Sequence, residues 1–159
     1  IWLMKSQYLD EKFKLIEETL DKVTNTLGLD EKILSILASY FVVYISGVYE
    51  DCVEQLFIQR AEKTNDKQLT NLIKSIIGQQ FRNPTFSNIM KLINALDPSY
   101  GGVMDTKIDI NCINGLNGIV DNKNNVAHGR ISNATLADVI KFHQGAKKIF
   151  DELDKMLLQ

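Results

Sequence analysis

Apolar residues set the rhythm of the chain from its start. Leu9, Phe13, Ile16, Leu20, Val23 and Leu27 recur at alternating steps of four and three, the spacing that lines one face of an amphipathic helix. Gly28 supplies a stop. Asp30 then supplies an N-cap for a second helix from about Glu31 into the low 60s. Between Ile33 and Ile45 the residues are apolar almost all round, which places that stretch in the centre of a bundle. Past Val48 the pattern becomes one-sided: Tyr49, Cys52, Val53, Leu56 and Phe57 turn inward, while Glu54, Gln55 and Arg60 can face water.

Asn65 and Asp66 break this helix, and Leu69, Leu72, Ile73, Ile76 and Ile77 mark a shorter one. Asn83-Pro84 reads as the next helix start, with Asn83 capping and Pro84 in the first turn, where its missing N–H does no harm. Phe86, Ile89, Met90, Leu92, Ile93 and Leu96 form the inward face. Asp97–Ile110 holds Pro98, Gly101 and Gly102 without a clear period and is expected to be one long loop. Ile113, Leu116, Ile119, Val120 and Val126 carry a further helix, with Gly115 and Gly118 allowing close packing. Thr135 and Asp138 have the spacing of a capping box, opening a last helix from about Leu136 to Leu157. No segment alternates with period two and none repeats. The expected fold is all-α, a compact bundle of five or six helices forming a single domain over residues 1–159.

Composition narrows the function classes more than the fold. Apolar residues make up 45% and charged residues 24%, ordinary values for a soluble globular protein. A first residue other than Met leaves room for a longer parent chain, and Ile1–Met4 is too short for a signal-peptide core. Ile33–Val48 falls short of the roughly 20 residues that span a bilayer, so no membrane role is expected. Cys52 and Cys112 are far apart and outside any Cys/His ligand pattern, so neither a metal site nor a cofactor is expected. Such cysteine usage suits a reducing cytoplasm. Net charge is −2, but residues 55–91 carry six Lys/Arg against two acids, while residues 1–54 carry five Lys against ten. That asymmetry would let RNA approach one face.

The chemistry gathers in Asp121–Arg130, D-N-K-N-N-V-A-H-G-R, where an otherwise regular apolar chain turns polar. At about 100° per residue Asn124 and His128 share a helix face, and Asp121 and Asn125 fall on one stripe. Lys123 lies five residues before His128, about 7.5 Å along the axis, and its stem can carry the ammonium toward the imidazole or toward a second subunit. Gly129 reads as the left-handed residue that ends the helix. His143, the only other histidine, has polar neighbours on the last helix and is expected at the surface.

These residues resemble the R-N-x-x-A-H-G signature of the HEPN superfamily, small helical domains many of which are ribonucleases. Asn124, Ala127, His128 and Gly129 match it, and Lys123 stands where that signature has arginine. The Leu116–Val120 run and Ser46–Glu50 in the long apolar helix are similar to the RiboL-PSP branch. The resemblance implies His128, Lys123 and Asn124 as catalytic residues, with Asn125, Asp121, Glu50 and Arg130 binding or supporting. Glu50 is implied as the group that holds a cation or amide of the motif. It implies metal-independent cutting of RNA, in a toxin or defence setting, by attack of the 2′-hydroxyl on the adjacent phosphate. That reaction needs a base, an acid and a cation. Histidine titrates near working pH, but one copy of the motif holds too few groups. A two-fold homodimer would pair two His128 and two Lys123 side chains in one cleft, as the resemblance also implies. Beside a third class, a nucleotidyltransferase partner or substrate-binding subunit, the competing class is a non-catalytic HEPN module that binds RNA, nucleotide or a partner protein such as an antitoxin. Lys123 keeps that class open, because lysine is a point charge where arginine is a planar fork.

Overall fold

The computed structural model of the chain describes residues 6–26 and 28–159. Within them lie seven helices and no strand: α1 (Gln7–Thr24), α2 (Glu31–Glu62), α3 (Lys67–Gln80), α4 (Phe86–Leu96), α5 (Pro98–Lys107), α6 (Ile110–Ala127) and α7 (Leu136–Leu158). The fold is all-α, as the spacing predicts. Leu27 and Ile1–Met4 lie outside the described residues. Most of the expected boundaries are made by side chains. Asp30 accepts from the Ile33 N–H at 2.8 Å, Asp66 accepts from the N–H groups of Gln68 and Leu69, and Thr135 with Asp138 forms a complete capping box.

Two boundaries differ from expectation. Asp97–Ile110, expected as one long loop, holds the helix α5: Asp97 caps it through the Ser99 N–H at 2.9 Å, and Pro98 occupies the first turn. Its two glycines hide the apolar period, and Met104 is its one fully buried large side chain, with Tyr100 packed partly against the core. This extra helix brings the bundle to seven among the described residues. Asn83 does not cap α4. Thr85 does, accepting from the Asn88 N–H at 3.2 Å, while Asn83 takes a φ of +54°, a conformation asparagine tolerates better than most residues.

The centre is built by α2, α6 and α7, with α1 on α2 and α7, α3 on α2, and α4 with α5 against α6 and α7. Where α6 crosses α7 the backbones nearly touch. A Cβ on Gly115 would sit 2.7 Å from the Phe142 carbonyl oxygen, and one on Gly145 would sit 3.2 Å from that of Asn111. Around this crossing Leu116, Ile119, Ala146, Ile149 and Phe150 are fully buried with Phe41, Ile45, Tyr49 and Leu56 of α2.

The first half of α2 is not buried all round. Ile33, Ile36, Tyr40 and Val43 are exposed, with Ile36 and Tyr40 about 60% accessible (61% and 59%). The core-facing side packs on α6 and α7, and no described helix covers the other. By length and composition α2 is also the one helix among the described residues that could cross a membrane.

His143 is buried, 2% exposed, contrary to expectation. It continues the Leu136, Val139, Ala146, Phe150 stripe of α7, a periodicity its polar neighbours mask. The Tyr49 hydroxyl lies 2.7 Å from Nδ1, and Phe13 meets the ring edge-on. Taking the hydroxyl as donor puts the ring proton on Nε2, 3.9 Å from the Glu17 carboxylate. Burial lowers the His143 pKa to about 4. An unfolded histidine protonates near 6.5, so between those values the unfolded chain holds a proton the folded one refuses. Stability is therefore complete above about pH 6.5 and declines as pH falls toward 4, by on the order of 3 kcal/mol. In thermal melts across that range, the parent should lose stability more steeply than His143→Gln; parallel curves would refute the assignment.

Candidate active site

The site forms where α6 ends. Its last turn closes by two backbone bonds, Arg130 N–H to the Asn125 carbonyl at 2.9 Å and Gly129 N–H to the Val126 carbonyl at 3.0 Å. Gly129 has the expected left-handed φ of +73°. This is a Schellman closure, and it makes His128 the C-cap residue. The His128 N–H still bonds the Asn124 carbonyl at 3.1 Å, so the two residues lie one turn apart as their spacing requires. The His128 side chain is exposed and makes no hydrogen bond to a described residue, Asn124 included.

Lys123 turns the other way, into a polar network. Its ammonium donates to Asn83 Oδ1 at 2.8 Å and, more weakly, to Asn124 Oδ1 at 3.4 Å. Asn83 is itself pinned: its N–H donates to Glu50 Oε1 at 2.9 Å, and its carbonyl accepts from Asn88 Nδ2 at 2.8 Å. Glu50 therefore reaches the motif through Asn83, with no ion pair to Lys123. Sequence reasoning missed Asn83 in this role. The available signal was an asparagine before a proline, a residue type suited to positive φ rather than to a cap alone.

Asn122 had no assigned role and has a definite one. Its Nδ2 donates to the Gly118 carbonyl at 2.8 Å. Its Oδ1 accepts from Ser132 Oγ at 3.1 Å, Asn133 N–H at 3.0 Å and Ala134 N–H at 3.2 Å. One amide thus folds the return segment back onto α6 and leads it into α7. Asn117 does similar work for α4, accepting from the Phe86 N–H at 3.0 Å. Of the remaining expected residues, Asp121 and Arg130 are exposed and Asn125 is half-buried. The structure thus draws Lys123, Asn124 and, through Asn83, Glu50 into one network. His128 and Arg130 stand open at the helix end.

The cysteines take no part. Both are buried, and burial pushes the Cys52 thiol up to about 12. No cluster of three or more His, Cys, Asp or Glu able to hold a metal occurs among the described residues.

Seven helices among the described residues, with a polar cap of this kind at the end of α6, define a class of small all-α domain. The sequence model of the RiboL-PSP-HEPN family matches residues 7–159, and the chain belongs to that family. No curated protein and no solved structure matches it.

Replacing Asn122 by alanine removes the acceptor shared by Ser132, Asn133 and Ala134, at a cost on the order of 1–3 kcal/mol. Amide exchange at Asn133 and Ala134 should accelerate in Asn122→Ala while the centre of α7 stays protected. Unchanged protection at both amides would show that the segment is held by something else.

Proposed function

We propose that this HEPN module is a metal-independent endoribonuclease of toxin or defence type, working at a composite site in a homodimer. One observation carries the reading: an open imidazole at the end of α6, with a lysine one to two turns back whose ammonium is held in place by Asn83. His128 removes the proton from a ribose 2′-hydroxyl. The 2′-oxygen bonds to phosphorus, the bond from phosphorus to the 5′-oxygen breaks, and the departing oxygen takes a proton from the second subunit's imidazole. The products carry a 2′,3′-cyclic phosphate and a 5′-hydroxyl. Lys123 steadies the phosphorane as a point charge and Asn124 orients the phosphate. The cytoplasm is the proposed compartment, with an antitoxin-like protein as regulator.

The uncovered face of α2 supports a dimer. Ile33, Ile36, Tyr40, Val43 and Gly47 step by three and four along an exposed seam, and the whole stretch Ile33–Tyr49 carries no charge. The next step along the seam is Glu50, which bonds Asn83 and so adjoins Lys123. A second copy on this seam, with the two-fold axis near its Glu50 end, would bring its own motif toward the first. Tyr40→Lys should therefore convert dimer to monomer in sedimentation and abolish cutting together. Cutting by a monomeric Tyr40→Lys chain, or a parent that is monomeric at high micromolar concentration, counts against the composite site.

One observation favours the non-catalytic reading: the Lys123 ammonium is already bonded to two amide oxygens. The readings separate on a gel. Lys123→Arg offers a fork to two phosphate oxygens and should raise cutting on the order of 10²-fold, the scale of one transition-state donor. Adding His128→Ala should abolish it, and EDTA should leave it intact. RNA left equally whole by parent, single and double variants makes the binding module the better account.

A further inference from the structure

A groove of about 420 Å³ opens between α3 and α4. Ile76, Phe81 and Leu92 give it an apolar floor, and Arg82 and Lys91 are exposed along it. No aspartate or glutamate lines it among the described residues. The Arg82 guanidinium donates to the carbonyls of Gly78 at 2.9 Å and Phe81 at 2.6 Å, which fixes its plane at the end of α3 and leaves further N–H donors unspent. The groove belongs to the stretch 55–91, where positive charge concentrates in an otherwise acidic chain.

We propose that this groove holds the single-stranded RNA flanking the scissile phosphate, an inference that rests on the ribonuclease reading above. Two features select this occupant. The first is charge: exposed cations, Arg82 among them held in place, without facing carboxylates match a phosphodiester backbone, and an apolar floor with an accessible aromatic ring suits unstacked bases rather than a duplex. The second is continuity with the motif. Asn88, which lines the groove, donates to the Asn83 carbonyl, and Asn83 holds Lys123. Arg82 and Asn83 are also adjacent in the chain, so one of the groove's cations neighbours the residue that holds Lys123. An acidic helix from a protein partner would satisfy the cations and the floor but has no reason to follow that path.

The test measures binding apart from cutting. In the His128→Ala chain, fluorescence anisotropy follows a labelled single strand of roughly 12 nucleotides, within the usual range of strand-binding sites, and a duplex of equal length. Lys91→Glu should weaken single-strand binding about tenfold or more. Losing both Arg82 and Lys91 to alanine should reduce the slope of log affinity against log salt by about 1.4, two phosphates' worth. Lys148→Ala, an exposed charge on α7, is the control and should change neither. Lys91→Glu acts without disturbing the Arg82 bonds to the α3 end, and matched melting curves confirm its fold. Unchanged single-strand affinity in Lys91→Glu, an equal loss in Lys148→Ala, or preference for duplex overturns the groove. If the Lys123→Arg chain still cuts RNA in that case, the ribonuclease reading stands alone. If neither it nor the parent binds or cuts RNA, both fall.

Discussion

The contact between α6 and α7 at Gly115 and Gly145 governs the site. A single Cβ at Gly115 would meet a backbone oxygen at 2.7 Å, and backbone cannot swing aside as a flexible side chain can. The two helices must therefore cross at this point and at this distance. Once they do, the C-terminal end of α6 and the start of α7 are joined by one short return segment. Asn122 then has its partners, Ser132 to Ala134, within hydrogen-bond reach. The position of His128 at the end of α6 follows from helix packing several turns away, with the Asn122 network holding the return segment beside it.

Much of this was legible in the chain. Helix ends written in capping chemistry, at Asp30, Asp66 and Thr135, fall where the residues predict, because a cap is a local bond between neighbours. The left-handed Gly129 was legible for the same reason. What escaped depended on distant partners. The face of α2 between Ile33 and Val43 looks wholly apolar, yet sequence periodicity cannot say how many neighbours a helix will have. His143 sits on a clear apolar stripe but was discounted for its polar neighbours. Its burial is made tolerable by Tyr49, 94 residues away in the chain. In α5 two glycines erase the period even though Asp97 and Pro98 announce a start.

The candidate site divides in the same way. Lys123, Asn124 and His128 could be grouped from helix geometry because they share one helix end. Glu50 was named on resemblance alone, and the structure gives it a route to the motif that no spacing contains. That route is a single asparagine on a different segment, in a backbone conformation open to few side chains. Hydrogen bonds spanning 33 and 40 residues leave no periodic trace.

The Schellman closure of α6 has a further meaning. Gly129 and Arg130 have already given their N–H groups to Val126 and Asn125, so neither offers a main-chain donor to an anion. Many phosphate sites rest on main-chain amides at a helix start, where any side chain will serve. At these two positions the main chain is silent, and the chemistry they frame is that of side chains. Such a site is easy to retune. Exchanging one basic residue for another alters the charge and geometry offered there while the helix end, its turn and the core beneath stay as they were. A family built on this plan can change its surface chemistry at the helix end without ever having to refold.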